Sequence, residues 1–313
     1  MFSRRYLRIK VLKALYARQA GAADTITIEE KNLVAAINKA YDLYPHIVSL
    51  IVDVKRYAGE RIEIALRKHL PTEEELNPNR KFISNKVVAQ IENDENLDQM
   101  LVQKKLGWAG SPELIKHLWQ KMVEADYYKE YMASERNTYA EDRKFVEEFY
   151  LQTVQDNEML IGVLEESSIM WSDDLDFILI MVLRTISSMR EQQELELLPQ
   201  YKSDDDAAFV KRLFAAAAVG YGENVAILEQ YTKNWDVERI AVMDNVIMTT
   251  AIAELITFDS IPVKVTLDEY IEIAKYYSTL GSSTFINGIL DKLSTDLVKS
   301  GKIVKQGRGL VEI

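Results

Sequence analysis

Apolar residues recur every three or four positions along nearly the whole chain, which is the spacing of one face of an α-helix. Leu33, Ile37, Ala40 and Tyr44 follow this spacing, for example. No stretch shows the convincing alternation of a half-buried strand, and no unit of 20–50 residues repeats. The sequence therefore predicts an all-α protein, and its 313 residues suffice for one large domain or two smaller ones.

Prolines, glycines and polar clusters divide this helical pattern. Pro45 lies inside the longest segment and predicts a kink or a division, because proline lacks an amide donor. Ser111 and Pro112 predict a helix start, with proline at the first helical position. A polar break is expected near Asn93, and the tail after Gly301 is expected to be loose. The pattern predicts helices at about 3–20, 28–68, 82–105, 112–132, 140–166, 173–198, 204–220, 223–231 and 235–258.

Residues 261–292 contain two further predicted helices, separated by Gly281. Thr266 and Glu269 have the spacing of a capping box, in which each side chain covers an exposed amide at a helix start. Gly288 lies inside the second helix, where glycine costs about 1 kcal/mol relative to alanine. We expect another backbone or a ligand to approach this glycine, the alternative being a chance weak spot.

The chain contains no cysteine and only three histidines, which are far apart in the sequence. Disulfides and thiolate metal sites are therefore excluded, and a histidine-based metal site or triad is not supported. The sequence has no phosphate-binding or dinucleotide-binding glycine motif, so it gives no positive evidence for an enzyme or a cofactor. No run approaches the ~18 apolar residues of a membrane span. Basic residues interrupt the apolar positions of the N-terminus, unlike a signal peptide, and we expect a cytoplasmic protein with no membrane association.

The charge is distributed unevenly. The net charge is −11, but residues 1–18 contain six basic residues and no acid, which leaves −17 for the remainder. A basic helix on an acidic body attracts phosphates locally. A solvated basic helix is the alternative, although cations at a helix N-terminus oppose the helix dipole. The six residues are Arg4, Arg5, Arg8, Lys10, Lys13 and Arg18.

Two other features have both a structural and a functional interpretation. Aromatic residues are frequent between 119 and 150 and could stack nucleic-acid bases, but the surrounding glutamates favour core packing. Asp204, Asp205 and Asp206 could bind a metal, but acids at a helix start suit the helix dipole, which favours the structural interpretation.

The C-terminal segment carries a resemblance to a known family. Its ordered motifs are Ile-Pro-x-Lys-Val, Asp-Glu-x-Ile-Glu-x-Ala-Lys and Phe-Ile-Asn-Gly-Ile-Leu-Asp-Lys, all within residues 261–292. This order resembles the C-terminal signature of the NusB family. Trp235 and the tripeptide Ala253-Glu254-Leu255 fall in the order of the preceding family helices, and Arg4-Arg5-x-x-Arg8 resembles the family's arginine-rich first helix.

The resemblance covers residues 1–20 and 205–298. It implies an all-α fold of two packed helical bundles, in this chain with an enlarged helical N-terminal half. We divide the chain into an N-terminal region, 1–203, and a NusB-like C-terminal domain, 204–313. The role of residues 21–204 is left open.

The resemblance also implies a function. Members are non-catalytic transcription antitermination factors that bind boxA RNA of ribosomal RNA transcripts with the ribosomal protein NusE, within the RNA polymerase antitermination complex. Arginines would hold phosphates or base edges, and an aromatic side chain would stack on an unpaired base. The implied RNA-binding residues are Arg4, Arg5, Arg8, Lys10 and Phe285, and the implied NusE-binding residues are Tyr16 and Asp244.

One departure from the family keeps alternatives open. Residues 280–284 lack the basic residues that many members have there, which weakens phosphate attraction. The chain would then be a protein-interaction scaffold of the transcription machinery that has lost RNA binding. A similar domain also precedes the catalytic domain of certain ribosomal RNA cytosine methyltransferases, but this chain has no cysteine nucleophile. Homodimer formation is left open.

Overall fold

The computed structural model describes residues 1–21, 24–171, 173–232 and 241–310. These residues contain fifteen α-helices and no β-strand, which confirms the predicted all-α class. None of the helices in these ranges is both long and apolar enough to cross a lipid bilayer. The α-helices are α1 Arg4–Gln19, α2 Ile26–Leu66, α3 Glu73–Leu76, α4 Lys86–Glu92, α5 Glu95–Lys104, α6 Pro112–Glu124, α7 Asp126–Ala133, α8 Tyr139–Glu148, α9 Glu158–Ser167, α10 Leu175–Ser188, α11 Asp204–Val219, α12 Tyr221–Glu229, α13 Val242–Thr257, α14 Val263–Tyr277 and α15 Ser282–Lys299.

The chain divides into two compact units. Unit 1 comprises Met1 and Asn38–Gln200, and unit 2 comprises Phe2–Ile37 and Tyr201–Ile313. The predicted boundary after residue 203 lies close to the end of unit 1, but the structure differs from the prediction at the N-terminus. There α1 belongs with the C-terminal helices, because it packs against α11, α13 and α14.

The central helix of unit 2 is α13, which contacts α1, α11, α12, α14 and α15. Eleven of its 16 residues are buried, as expected for a helix that is surrounded by others. Most of them are apolar or small, such as Ile247, Met248 and Ile252. Two acids, Asp244 and Glu254, are also among them, and Glu254 is completely buried. A buried carboxylate requires charged or hydrogen-bonding partners, and those partners define the candidate site described below.

The long helix α2 continues through Pro45 as one helix, so the predicted division is wrong, while the alternative, a kink, stays a prediction. Other side chains of unit 1 donate to the carbonyls that follow the proline. Trp108 Nε1 lies 3.0 Å from the carbonyl oxygen of His46, and the Tyr150 hydroxyl lies 2.8 Å from that of Val48. Tyr44 and its apolar neighbours are buried in the core. This packing offsets the ~3 kcal/mol that an internal proline costs a helix.

Aromatic side chains of residues 82–145 pack together in unit 1. The ring centroids of Phe82 and Phe145 are 5.4 Å apart, and those of Tyr131 and Phe145 are 4.3 Å apart. Trp119 and Tyr128 meet edge to face, with centroids 5.8 Å apart. The predicted core role is therefore confirmed for Tyr131 and Phe145, which are buried, whereas Trp119 and Tyr128 are half-buried.

Several helix boundaries follow the sequence signals and others do not. Asn93 caps the end of α4 before Asp94 caps the start of α5, as the polar break predicts. The segment predicted as 112–132 divides at Ala125, and a π-helical turn, Phe149–Val154, interrupts 140–166. The helix predicted to reach 198 ends at residue 188, and the guanidinium of Arg190 hydrogen-bonds the carbonyls at its C-terminus.

The capping-box prediction at Thr266 is wrong. Helix α14 begins three residues earlier, at Val263, and has no side-chain cap. Thr266 is buried and its hydroxyl donates to Glu254, 3.0 Å away, while Glu269 pairs with Arg5. Tertiary partners thus replace the local contacts that the spacing suggested.

The expectations for Gly288 and for the tail are also corrected. A Cβ added at Gly288 would meet no atom of the described residues within 4 Å, so the expected close approach of another backbone is absent from that part of the chain. The tail is held in place as far as residue 310, because Gln306 N donates to the carbonyl of Asp259 at 3.0 Å. At Gly309 an added Cβ would lie 1.9 Å from that same carbonyl oxygen, so only glycine fits there.

Candidate nucleic-acid interface

The first helix, α1, carries most of the residues implicated in RNA binding. It starts after Ser3, whose hydroxyl accepts a hydrogen bond from the amide of Tyr6. Its first turn contains no acid, so nothing within the helix balances Arg4 and Arg5 at the positive end of the helix dipole. The balancing charges come from α11, α13 and α14, which surround α1 in unit 2.

Arg8 is buried at the centre of this arrangement. Its Nε and Nη2 donate to both carboxylate oxygens of Glu254, at 2.8 and 2.7 Å. The same carboxylate accepts from Thr266 at 3.0 Å and from the Tyr270 hydroxyl at 3.1 Å. The Arg8 guanidinium also lies 5.3 Å from the ring centre of Phe209. Four donors therefore satisfy a carboxylate that has no contact with solvent.

The electrostatics of this pair fix its protonation. Burial lowers the pKa of Arg8, but the Glu254 carboxylate outweighs that effect and holds the pKa above its ordinary value. Burial and the same carboxylate raise the pKa of Tyr270 well above its usual range. Arg8 thus remains a cation and Tyr270 a neutral donor, which keeps Glu254 fully hydrogen-bonded.

The burial of Arg8 and Lys10 argues against direct RNA contact by these two predicted residues. Only 2% of Arg8 is exposed, and its guanidinium is committed to Glu254. Lys10 is 6% exposed, and its ammonium lies 5.3 Å from the ring centre of Tyr6. In this conformation neither cation can reach a phosphate at the surface, because each is enclosed by protein.

Arg4 and Arg5 lie at the surface. Arg5 forms a two-pronged pair with Glu269, at 2.8 and 3.0 Å, and its side chain is 44% exposed. Arg4 donates only its Nε to Asp206, at 2.8 Å, with 42% of the side chain exposed. Both guanidinium groups therefore retain a surface that a ligand can reach.

The positive charge of residues 1–18 is largely balanced in the fold. Arg18 also forms a pair, with Glu29 at 2.7 Å. Four of the six N-terminal cations thus face carboxylates from elsewhere in unit 2. Asp206 is one of these partners, and the described residues contain no cluster of acids or histidines arranged for a metal ion.

The remaining predicted residues lie at the start of α13 and α15 and near the end of α1. Phe285 is half-buried on α15, and Tyr16 is 40% exposed on α1, so their roles remain predictions. Asp244 is buried and accepts hydrogen bonds from Ser278 and, at 2.8 Å, from Ser282. It ties α13 to the turn between α14 and α15, and its burial argues against direct contact with a partner.

The helical spacing of apolar residues did not reveal the Arg8–Glu254 pair, but the sequence contains one signal for it. Glu254 lies in the segment Met248–Phe258, which has no other charged residue. An acid in such an apolar helix predicts a buried partner. Trp235, which also contributed to the resemblance, lies outside the described residues.

The fold and the site define an all-α protein whose first helix is anchored by a buried arginine–glutamate pair and presents two further arginines. The sequence profile of the NusB family matches residues 180–295. The chain is 39% identical over 123 residues to the transcription antitermination protein NusB of Salinibacter ruber, across 38% of this chain and 77% of that protein. It is 44% identical over 86 residues to the NusB protein of Chloroherpeton thalassium, across 28% of this chain and 41% of that protein.

A third relative, the NusB protein of Symbiobacterium thermophilum, is 33% identical over 103 residues, which is 33% of this chain and 67% of that protein. The chain therefore belongs to the NusB family. No solved structure matches it. Most of unit 1 lies outside the family match, which begins at residue 180.

Proposed function

We propose that this protein is a non-catalytic transcription antitermination factor that binds boxA-like RNA of ribosomal RNA transcripts together with ribosomal protein NusE. Membership in the NusB family supports the proposal, as do relatives that are named transcription antitermination proteins. The structural observation that carries it is the pair of half-exposed arginines, Arg4 and Arg5, on the helix that resembles the family's arginine-rich helix.

The ion pairs of these two arginines do not prevent RNA binding. An exposed ion pair contributes only about 0–1 kcal/mol to stability, so a phosphate group can replace the carboxylate at low cost. Arg4 is the better placed of the two, because no described residue engages its Nη donors in a hydrogen bond. The buried Arg8–Glu254 pair holds the helix in position while Arg4 and Arg5 exchange partners.

The test is RNA binding by the full chain with and without NusE. A fluorescein-labelled boxA-like RNA is titrated in an anisotropy assay at two salt concentrations. We expect the double variant Arg4→Ala/Arg5→Ala to raise the Kd about tenfold and to flatten the salt dependence, since two phosphate contacts are lost. The control is Lys299→Ala/Lys302→Ala, which removes the same charge from the exposed end of α15 and from the turn that follows it. It should leave the Kd within about twofold of the wild-type value. Equal Kd values for the wild type and the arginine variant would refute α1 as the RNA site.

NusE contact is assigned to the exposed residue Tyr16. Tyr16→Ala should weaken NusE binding in calorimetry without changing the melting temperature, because Tyr16 is exposed. Asp244→Ala should instead lower the melting temperature, because it removes the acceptor for Ser278 and Ser282. A Tyr16 variant with unchanged NusE affinity would exclude this surface.

The second candidate function is a protein scaffold that has lost RNA binding. Two observations favour it: the α1 arginines are paired with carboxylates, and residues 280–284 contain no cation. The scaffold function predicts that the chain binds NusE but binds no RNA, even at low salt. The same titrations decide between the two functions, because RNA binding that requires Arg4 and Arg5 excludes the scaffold.

A further inference from the structure

Unit 1 carries the whole net charge of the chain. Residues 38–200 contain 19 basic and 30 acidic residues, a net charge of −11. The residues outside this range contain 19 of each and are neutral overall. A strongly acidic unit repels nucleic acid and attracts basic partners.

One surface of unit 1 combines this acidity with an apolar cavity. The cavity has a volume of about 230 Å³ and lies between α2, α4, α5 and the turn at residues 106–109. An apolar cavity of roughly 150 Å³ accommodates a benzene molecule, so this one has room for a large apolar side chain. The larger apolar residues that line it include Val52, Ile91, Leu97, Leu101, Leu106 and Trp108.

One wall of the cavity, formed by Trp108, is held in place by a hydrogen bond and by ring packing. Trp108 is 2% exposed, and its Nε1 donates to the carbonyl oxygen of His46 at 3.0 Å. Its ring also packs against the His46 ring, with centroids 3.9 Å apart. The cavity is therefore formed before any ligand arrives, which limits the cost of binding.

Part of the rim is already neutralised. Glu92 pairs with Lys55 at 2.6 Å and with Arg56 at 3.1 Å. Asp53 lies 3.8 Å from Arg56. Burial, and secondarily Glu92, raises the pKa of Asp53, although Arg56 opposes the shift. An additional cation near Asp53 would favour its charged form.

Two further acids of the rim are Asp94 and Asp98. Asp94 caps α5 by accepting from the amide of Leu97 at 2.8 Å, and Asp98 is exposed one turn later. Among the described residues, no lysine, arginine or histidine lies within ion-pair distance of either carboxylate. Val102 is 68% exposed beside them. The rim thus offers two unpaired acids next to an apolar opening.

The cavity and its acidic rim together form a groove, and we propose that this groove binds a basic segment of a partner protein. One large apolar side chain of the segment enters the cavity, and flanking lysine or arginine side chains pair with Asp94, Asp98 and Asp53. Charge complementarity selects such a segment, since the rim repels acidic peptides and RNA. The inference does not depend on RNA binding by α1, because the groove lies entirely within unit 1.

The probe is a twelve-residue fluorescein-labelled peptide with one central leucine flanked by lysines and arginines. It is titrated with the full chain and compared with a peptide in which serine replaces leucine and with one in which glutamine replaces every cation. We expect the leucine-containing basic peptide to bind at least fivefold more tightly than either comparison peptide. Binding that is equal for the leucine and serine peptides, or absent up to millimolar protein, would overturn the proposal.

A pair of variants locates the site. Asp94→Asn/Asp98→Asn retains the helix cap, since asparagine caps as well as aspartate, and should raise the Kd of the basic peptide about fivefold. The control Glu165→Gln/Glu166→Gln removes the same charge from the exposed end of α9 in the same unit. It should change the Kd less than twofold. Equal effects of the two variants would show attraction by net charge alone and would refute the groove as the site.

Discussion

The buried pair between Arg8 and Glu254 leads to the most demanding prediction. Replacing Arg8 by methionine keeps much of the side-chain volume but removes the charge. Glu254, which has no exposure to solvent, then retains only the hydroxyls of Thr266 and Tyr270 as donors. Breaking a buried pair in this way costs about 3–5 kcal/mol, because it leaves an uncompensated charge.

The reverse replacement, Glu254→Met, should cost less. Arg8 would keep a second carboxylate, because its Nη1 lies 3.7 Å from Glu269. The double variant Arg8→Met/Glu254→Met leaves no isolated charge and should cost far less than the sum of the two single variants. We expect a coupling free energy of at least about 2 kcal/mol, as is usual for groups in direct contact within one network.

Urea unfolding monitored by far-UV circular dichroism measures these differences. Tryptophan fluorescence in a Trp235→Phe background provides an internal comparison, because the three remaining tryptophans, Trp108, Trp119 and Trp171, lie in unit 1 and Arg8 lies in unit 2. Since a loss of 3–5 kcal/mol is a large part of the stability of a typical domain, Arg8→Lys serves as a milder variant. It keeps the charge but loses the two-pronged geometry.

The same variants separate a structural role from RNA contact. At a temperature where Arg8→Met remains folded, its RNA affinity should equal that of the wild type, whereas Arg4→Ala/Arg5→Ala should be weakened without loss of stability. A cost below about 1 kcal/mol for Arg8→Met, or strictly additive single variants, would refute the role assigned to the pair.

Three further predictions concern other positions. Burial, with help from Lys39, lowers the pKa of His46 to about 4. The unfolded chain therefore binds a proton at this residue that the folded protein does not, and folding stability should fall as the pH drops from 6.5 towards 4. The loss of unfolding free energy amounts to about 3 kcal/mol. Urea unfolding at several pH values should show a correspondingly smaller loss for His46→Phe than for the wild type. Parallel stability-against-pH curves for the two proteins would contradict this. Gly309→Ala forces a methyl group against the Asp259 carbonyl. We expect it to destabilise the folded protein by about 1–3 kcal/mol and to speed proteolysis of the tail. An unchanged melting temperature would argue against the docked tail. Gly288 lies in open space on an exposed helix surface, so Gly288→Ala should stabilise the folded protein by about 0.5–1 kcal/mol. A lower melting temperature would indicate a contact that the structure does not contain.

Local signals predicted much of the fold. Pro112 at the first helical position and the polar break at Asn93 correctly mark helix boundaries, because both act through adjacent backbone groups. The continuation of α2 through Pro45 was not predictable in this way, because the buried residues next to the proline contact partners such as Trp108 and Tyr150, which lie more than 60 residues away in the sequence. Local spacing carries no information about such partners, so the proline predicted a kink or a division.

The candidate site also depends on partners that are distant in the sequence. The charges in residues 1–18 correctly indicated an arginine-rich helix, but their count alone suggested a strongly positive surface. The acids that pair with Arg4, Arg5 and Arg8 lie 202, 264 and 246 residues further along the chain. Only the packing of α11, α13 and α14 around α1 brings them together, and it commits Arg8 to a buried pair with Glu254.

The carboxylates that pair with Arg4 and Arg5 also act on the proposed RNA binding. RNA must displace Asp206 and Glu269, or share the arginines with them, so the binding free energy is the difference between two electrostatic contacts. Each exposed pair contributes at most about 1 kcal/mol, whereas the carboxylates themselves remain near the phosphates and repel them. Arginine-to-phosphate attraction is therefore partly cancelled within unit 2, and binding should depend more strongly on base contacts and on NusE than a count of arginines suggests.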